Sequence, residues 1–347
     1  MIDFRYHLVS IVAVFLALAI GIVLGSTTEL RGGALSLLQQ SSNALRSELN
    51  ATQSKSAGYQ AQASAQDQFL QTAEPRLLAK LLDGESIVVV TEPGAQGSVV
   101  DGVEKAATLA GATVTGEVAL QPKFNDISGA TQSSLSSINN SIASTDGLQL
   151  TAGGNPQTAY QQQAAQLIAT AILAKSTTQT GLPAISPQAL LSAYAQAGYL
   201  TVSPSGAPSG PAELAVIVTP QSAPADGADD PANQVLLAVA QEFAGASSAT
   251  LVAGDVTGSA QAGSAMSVLR ASSVSSLVSS VDNADMTLGQ ITVVQALAAQ
   301  LAGAKPNSYG ISGASALSPV PMPSPTATAT TTPQPNPSTT RKAGTKK

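Results

Sequence analysis

The chain has no cysteine, no tryptophan and one histidine, and only 3% of its 347 residues are aromatic. Without cysteine there is no disulfide framework, no thiol nucleophile and no Zn–Cys site in any compartment. The one histidine, His7, stands beside an apolar run, far in sequence from every carboxylate of the body. A Ser-His-Asp triad in the soluble part is therefore excluded. The metalloprotease pattern HExxH is absent, and so are the phosphate-loop patterns GxGxxG and GxxxxGK followed by Ser or Thr. Charge is scarce at 10% and unevenly placed. The last acidic residue is Asp285, and from Lys305 onward there are five basic residues and no acidic one. Residues 1–304 thus carry a net charge of −11. An acidic body with few aromatics lacks the basic face and stacking platforms that nucleic acid requires, so no nucleic-acid partner is expected.

What is present begins with Leu8–Leu24, an unbroken apolar run of 17 residues whose only hydroxyl is Ser10. At 1.5 Å per residue it spans roughly 25 Å, near the lower end of what a bilayer core needs. Phe4 and Tyr6 suit the headgroup zone. We read residues 1–26 as a retained single-pass anchor. The competing reading is a cleavable signal with Val23-Leu24-Gly25 as its cleavage site, against which the length of the run counts. Arg5 and the terminal amine before the run, set against Arg31 after it, favour a cytoplasmic N-terminus and a body on the exported side of the cell membrane.

Residues 27–75 read as a polar helical stalk. One heptad row holds Leu35, Ser42, Leu49, Ser56, Ala63 and Leu70; a second holds Leu38, Leu45, Thr52, Tyr59, Gln66 and Ala73. Ser, Thr, Gln and Gly58 weaken the seam, which suits a marginal coiled coil and homo-oligomer contact, or a single helix lying on the body. Glu74-Pro75 is expected to end it. Residues 84–304 read as an α/β body: a βαβ unit (86–120), a polar and helical insert (121–212) and a second αβ series (213–303). SIVVV from Ser86 is a buried-strand run, and ATVTGEVAL (112–120) a second strand. The helix between them, from Ser98, has Asp101 as its expected N-terminal partner and Gly111 as its stop. Further strands are expected at 213–219, 249–255 and 275–281. Helices are expected at 159–174, 187–197, 262–271 and 287–301, with one beginning at Pro231. The stretch from Phe124 to about Leu150 is polar and low in complexity, and 203–212 is a Ser/Pro/Gly linker. The fold class is a mostly parallel sheet with helices on both faces. Residues 305–347, rich in Pro, Thr and Ser, are expected to be a disordered tail ending in the basic tip RKAGTKK.

The chemistry that remains is carboxylate-only. Asp229-Asp230 is expected to top a helix. Asp282 and Asp285, with Asp255, lie at predicted strand exits, where Asx turns account for them as well as a site does. The loop Glu92–Gly97 occupies the place of a phosphate loop, but no basic residue lies between Glu92 and Glu104, and its two glycines suit a tight turn. No catalytic, cofactor-binding or metal-ligating residue is assigned, no cofactor is expected, and the chain is read as a non-enzyme.

Ser10–Ser26, the stalk leading to IVVVTEPGA, and Val281–Ile291 within SSVDNADMTLGQITVVQALAAQLAGAKPNSYG together resemble the actinobacterial MctB family of copper transport proteins of the outer membrane. The likeness covers residues 1–310. It implies copper efflux or homeostasis in the envelope, and copper as a partner by resemblance alone. Members of the family are also linked to cell separation with a second envelope protein. That implies the alternative of a non-catalytic scaffold binding a cell-division or envelope partner. The residues offer copper little: copper(I) prefers Cys and Met and copper(II) imidazole, whereas Met1, Met266, Met286 and Met322 are dispersed. Met266 and Met286 read as core fillers. A transmembrane barrel would need at least eight strands of about ten residues. Only about five short ones are visible, so the cell membrane fits better than the outer membrane.

Overall fold

A computed structural model describes residues 4–25, 29–150, 154–175, 187–202 and 208–319. They form two compact units, one up to Gln66 and one from Asp67 onward. The first holds α1 (Phe4–Gly25) and most of α2 (Glu29–Leu78). Its His7–Gly25 segment, unburied throughout, is the one stretch among the described residues long and apolar enough to cross a membrane. α2 is continuous for 50 residues, and Leu38, Leu45, Leu49 and Tyr59 of the two heptad rows are exposed.

The second unit runs β1 (Ser86–Thr91), α3 (Gly97–Leu109), β2 (Thr113–Leu120), α4 (Gly129–Asp146), α5 (Ala159–Ile172), α6 (Pro187–Gln196), β3 (Leu200–Val202), β4 (Leu214–Val218), α7 (Pro231–Ala246), β5 (Ala249–Ala253), α8 (Val256–Ser259), α9 (Ala265–Ala271), β6 (Ser279–Val281), α10 (Thr287–Leu301) and β7 (Ser308–Tyr309). All seven strands share one sheet in the order β3-β2-β1-β4-β5-β6-β7, parallel except for β3 against β2. The expected α/β class is found, and both strand series lie in a single sheet. Ile87, Val89, Leu214, Val216 and Leu251 face a core with α3 and α10; Val88, Val90, Ala215, Ile217 and Val252 face one with α5, α7 and α9. Cover on both faces is why these strands read as continuous apolar runs rather than alternating ones.

The structure departs from the sequence reading at several elements. α2 does not end at Glu74-Pro75 but continues to Leu78. Leu78 and Leu82 beyond it are fully buried. Burying two leucines contributes about 4 kcal/mol, enough to offset the roughly 3 kcal/mol that an internal proline costs. The polar 124–150 stretch contains the 18-residue α4. Ser128 caps it by accepting from the Thr131 N–H, Gly147 closes it at φ +64°, and Leu135, Ile142 and Ala143 are its buried apolar contacts. Asp101 caps nothing: the N-cap of α3 is Gln96, without a side-chain bond. Of the strand expected at 275–281 only Ser279–Val281 is extended, after a 3-10 turn at Ser273–Ser276. The tail expected from 305 is ordered at its start, where Ser308–Tyr309 pairs with β6. Its remainder, 320–347 with the basic tip and Met322, lies outside the described residues, as do Met1 and positions 203–207 of the linker.

Candidate functional site

β1 and β4 are neighbours, yet their chains leave the sheet in opposite directions, β1 through α3 to β2 and β4 through α7 to β5. Loops that diverge at such a point open a crevice at the carboxyl end of the strands, where α/β folds place ligands. The two loops are tied at their base: the Glu92 N–H donates to Val218 O at 3.0 Å and the Gln221 N–H to Gly94 O at 3.2 Å. Above these bonds lies a cavity of about 150 Å³. Glu92, Asn125, Ser222 and Asn233 are its polar lining; Pro93, Pro220, Pro224, Ala232, Leu236 and Ala265 are its apolar walls.

Each polar group is held by its element. Glu92 follows the last residue of β1, with Pro93 fixing φ behind it and Gly94 turning the chain at φ +90°. Asn125 ends a 3-10 turn anchored by the buried Phe124. Asn233, in the first turn of α7, donates its Nδ2 hydrogens to Gly227 O at 2.8 Å and Gly263 O at 2.9 Å. Glu92 is 4% exposed. Its Oε2 accepts from Asn125 Nδ2 at 3.5 Å. Its Oε1 and the Asn125 Oδ1 are buried with no hydrogen-bond partner among the described residues. Burial pushes the Glu92 carboxyl up to about 7, against a smaller opposite pull from the Asn125 amide.

Of the carboxylates singled out by sequence, Asp230, Asp255, Asp282 and Asp285 already accept hydrogen bonds from backbone N–H groups or Arg270. Asp230 caps α7, accepting from the Ala232 N–H at 2.9 Å, with Asp229 in the 3-10 turn before it. Asp255 caps α8 through the Gly258 N–H at 3.0 Å, and Asp285 accepts from the Val256 N–H at 3.1 Å. Partial burial raises the Asp285 carboxyl, helped by the nearby charges of Asp255 and Asp282. Asp282 is fully buried. It takes Arg270 Nη1 at 2.8 Å and the N–H groups of Ile311 and Ser312 at 2.7 and 2.9 Å. Arg270 also donates to Ser280 Oγ and to the carbonyls of Tyr309 and Ser312. This knot fastens the 308–319 segment to the sheet. Met266 is a buried core residue; Met286 is half-buried. Sequence reasoning located the Glu92 loop and read it as a tight turn. It missed Asn125 and Asn233, which approach Glu92 only through the fold.

The family model for the copper transport outer membrane protein MctB matches residues 1–319. The chain belongs to the MctB family. Two relatives named copper transporter MctB illustrate the match. That of Mycobacterium tuberculosis (strain ATCC 25618 / H37Rv) is 31% identical over 317 residues, covering 89% of this chain and 96% of the relative. That of Mycobacterium leprae (strain TN) is 30% identical over 320 residues, covering 90% and 96%. Among the described residues of this MctB-family chain, no three His, Cys, Asp or Glu side chains are grouped so as to hold a metal ion. The polar groups its crevice offers are amide, hydroxyl and carboxyl oxygens rather than soft sulfur or imidazole.

Proposed function

We propose that this chain is a single-pass, membrane-anchored envelope protein that takes part in copper transport or homeostasis. Membership of the MctB family, shared with relatives named as copper transporters, carries this reading. The unburied apolar helix at His7–Gly25 supplies the anchor. Arg5 and the terminal amine before the helix, set against Arg31 after it, favour a body on the exported side. The described strands are two to eight residues long and lie in one helix-covered sheet. That argues for the cell membrane rather than insertion as an outer-membrane barrel, whose strands are about ten residues long. We read the body as non-catalytic: its strand-exit aspartates are committed to backbone N–H groups and Arg270. With one helix long and apolar enough to span and no grouped metal-ligating side chains among the described residues, copper movement requires several copies or a second protein. The exposed heptad leucines of α2 are the surface through which copies would associate. The relatives' names speak of copper alone, so the cell-separation scaffold is not the reading adopted.

The test is removal of the chain from its native host, with growth and cell-associated copper measured across rising copper. Copper accumulation and sensitivity are expected, reversed by the full chain but not by one lacking residues 1–26. Unchanged copper content and tolerance would overturn the reading. Protease accessibility on intact cells and spheroplasts then fixes the side of the body.

A further inference from the structure

The switch-point cavity has a polarity that copper transport does not account for. Apart from the Ser222 hydroxyl and the second Asn125 amide hydrogen, the side-chain groups of its lining accept, Glu92 once it has lost its proton. Glu92 Oε1 and Asn125 Oδ1 are buried and unpartnered. Asn233 has both amide hydrogens committed to carbonyls, so it too can only accept. Among the described residues no Lys, Arg or His lines the cavity. Lys123, two residues before Asn125, is held elsewhere, by Ala197 O at 2.8 Å and over the Tyr199 ring.

We propose that this cavity binds a small organic molecule through a protonated primary amine. An ammonium carries three donors on one centre and a full positive charge. That matches the side-chain oxygens that Glu92, Asn125 and Asn233 bring to one lining, the first a carboxylate once it has lost its proton. Unpaired, such oxygens are costly to keep away from water. The proline, leucine and alanine walls take the hydrocarbon stem. About 150 Å³ is the size that accepts a molecule as large as benzene.

The competing ligand classes fit less well. A phosphate or carboxylate would face Glu92. The start of α7 offers it nothing, because Pro231 has no N–H and those of Ala232 and Asn233 already go to Asp230. A hard cation such as calcium takes six to eight oxygens, and the lining residues are mostly apolar. Copper would meet neither sulfur nor imidazole. The assignment stands apart from the copper reading and survives if that reading fails.

The test uses the full chain in detergent micelles and n-butylammonium as the probe, with n-butanol and butyrate as controls. Binding is followed by saturation-transfer NMR and by the shift in melting temperature. Saturable binding of n-butylammonium alone is expected. Glu92→Gln, which keeps the shape and removes the charge, should weaken it roughly tenfold or more. Ala232→Leu, which fills the cavity from its half-buried rim, should abolish it. If Glu92→Gln does not fold, Ala232→Leu carries the test. No binding, or binding that neither variant alters, overturns the proposal. Glu92-dependent uptake of calcium or copper(II) without n-butylammonium binding overturns it as well.

Discussion

Two buried carboxylates, Glu92 and Asp282, show how partners rather than burial alone decide what a charge does. Asp282 has Arg270 and two backbone donors; Glu92 has one long bond from Asn125. Removing one member of a buried pair leaves the other uncompensated. Asp282→Ala should therefore cost about 4 kcal/mol in urea unfolding and open residues 308–319 to limited proteolysis, since Ile311 and Ser312 lose their anchor. Glu92 responds to pH instead. Its carboxyl is raised from 4.5 to about 7 in the fold, so between those values the folded state keeps a proton that the unfolded chain has released. The stabilising contribution is complete below 4.5 and lost as pH rises through 7, about 3 kcal/mol in all. Glu92→Gln should flatten the fall in stability between about pH 5 and 8. It should not abolish that fall, because burial and the facing Glu213 raise Glu85 as well. A variant as pH-sensitive as the parent would refute this account.

At the scale of elements, legibility followed the strength of local signals. Thr287–Leu301 was readable to the residue because its apolar pattern has clear bounds. Asp230-Pro231 announced α7 by cap and first-turn chemistry. α4 was hidden because its exposed faces are Ser, Thr, Asn and Gln and few of its residues reach the core. β3 and β7, three and two residues long, carry no periodicity at all and exist because a neighbouring strand offers hydrogen bonds. Loop meetings, such as Glu92 with Asn125 33 residues on, leave no trace in spacing. α10 also depends on an absence that sequence does not explain: a Cβ at Gly289 would fall on the carbonyl of Asn283. Gly289→Ala should thus destabilise by about 3 kcal/mol, despite alanine's better helix propensity. The urea midpoint reads this directly. A neutral or stabilising result would mean that the Asn283 turn shifts freely.

For the whole molecule, the boundary between stalk and body has energetic content. Sequence put the start of the body at 84, where the strand signal begins. In the fold, Asp67 Oδ1 accepts from the Thr287 N–H at 3.1 Å, Glu74 pairs with Lys105 at 2.9 Å, and Leu78 and Leu82 are fully buried. The last turns of α2 are therefore part of the body's core although their sequence reads as stalk. Lys105 is exposed while the Glu74 side chain is only 1% so. The pair thus serves to satisfy one oxygen of Glu74, Oε2, more than to add stability; Oε1 is buried with no partner among the described residues. A fragment of residues 67–319 should be soluble without detergent and unfold in one cooperative step. A fragment of 84–319 lacks both leucines, each worth about 2–5 kcal/mol as a buried contact. It also opens the core cluster that those leucines share with α3 and β1, and it should be less stable by several kcal/mol, with a tendency to aggregate. Equal melting of the two fragments would show that residues 67–83 are a linker and return the boundary to 84.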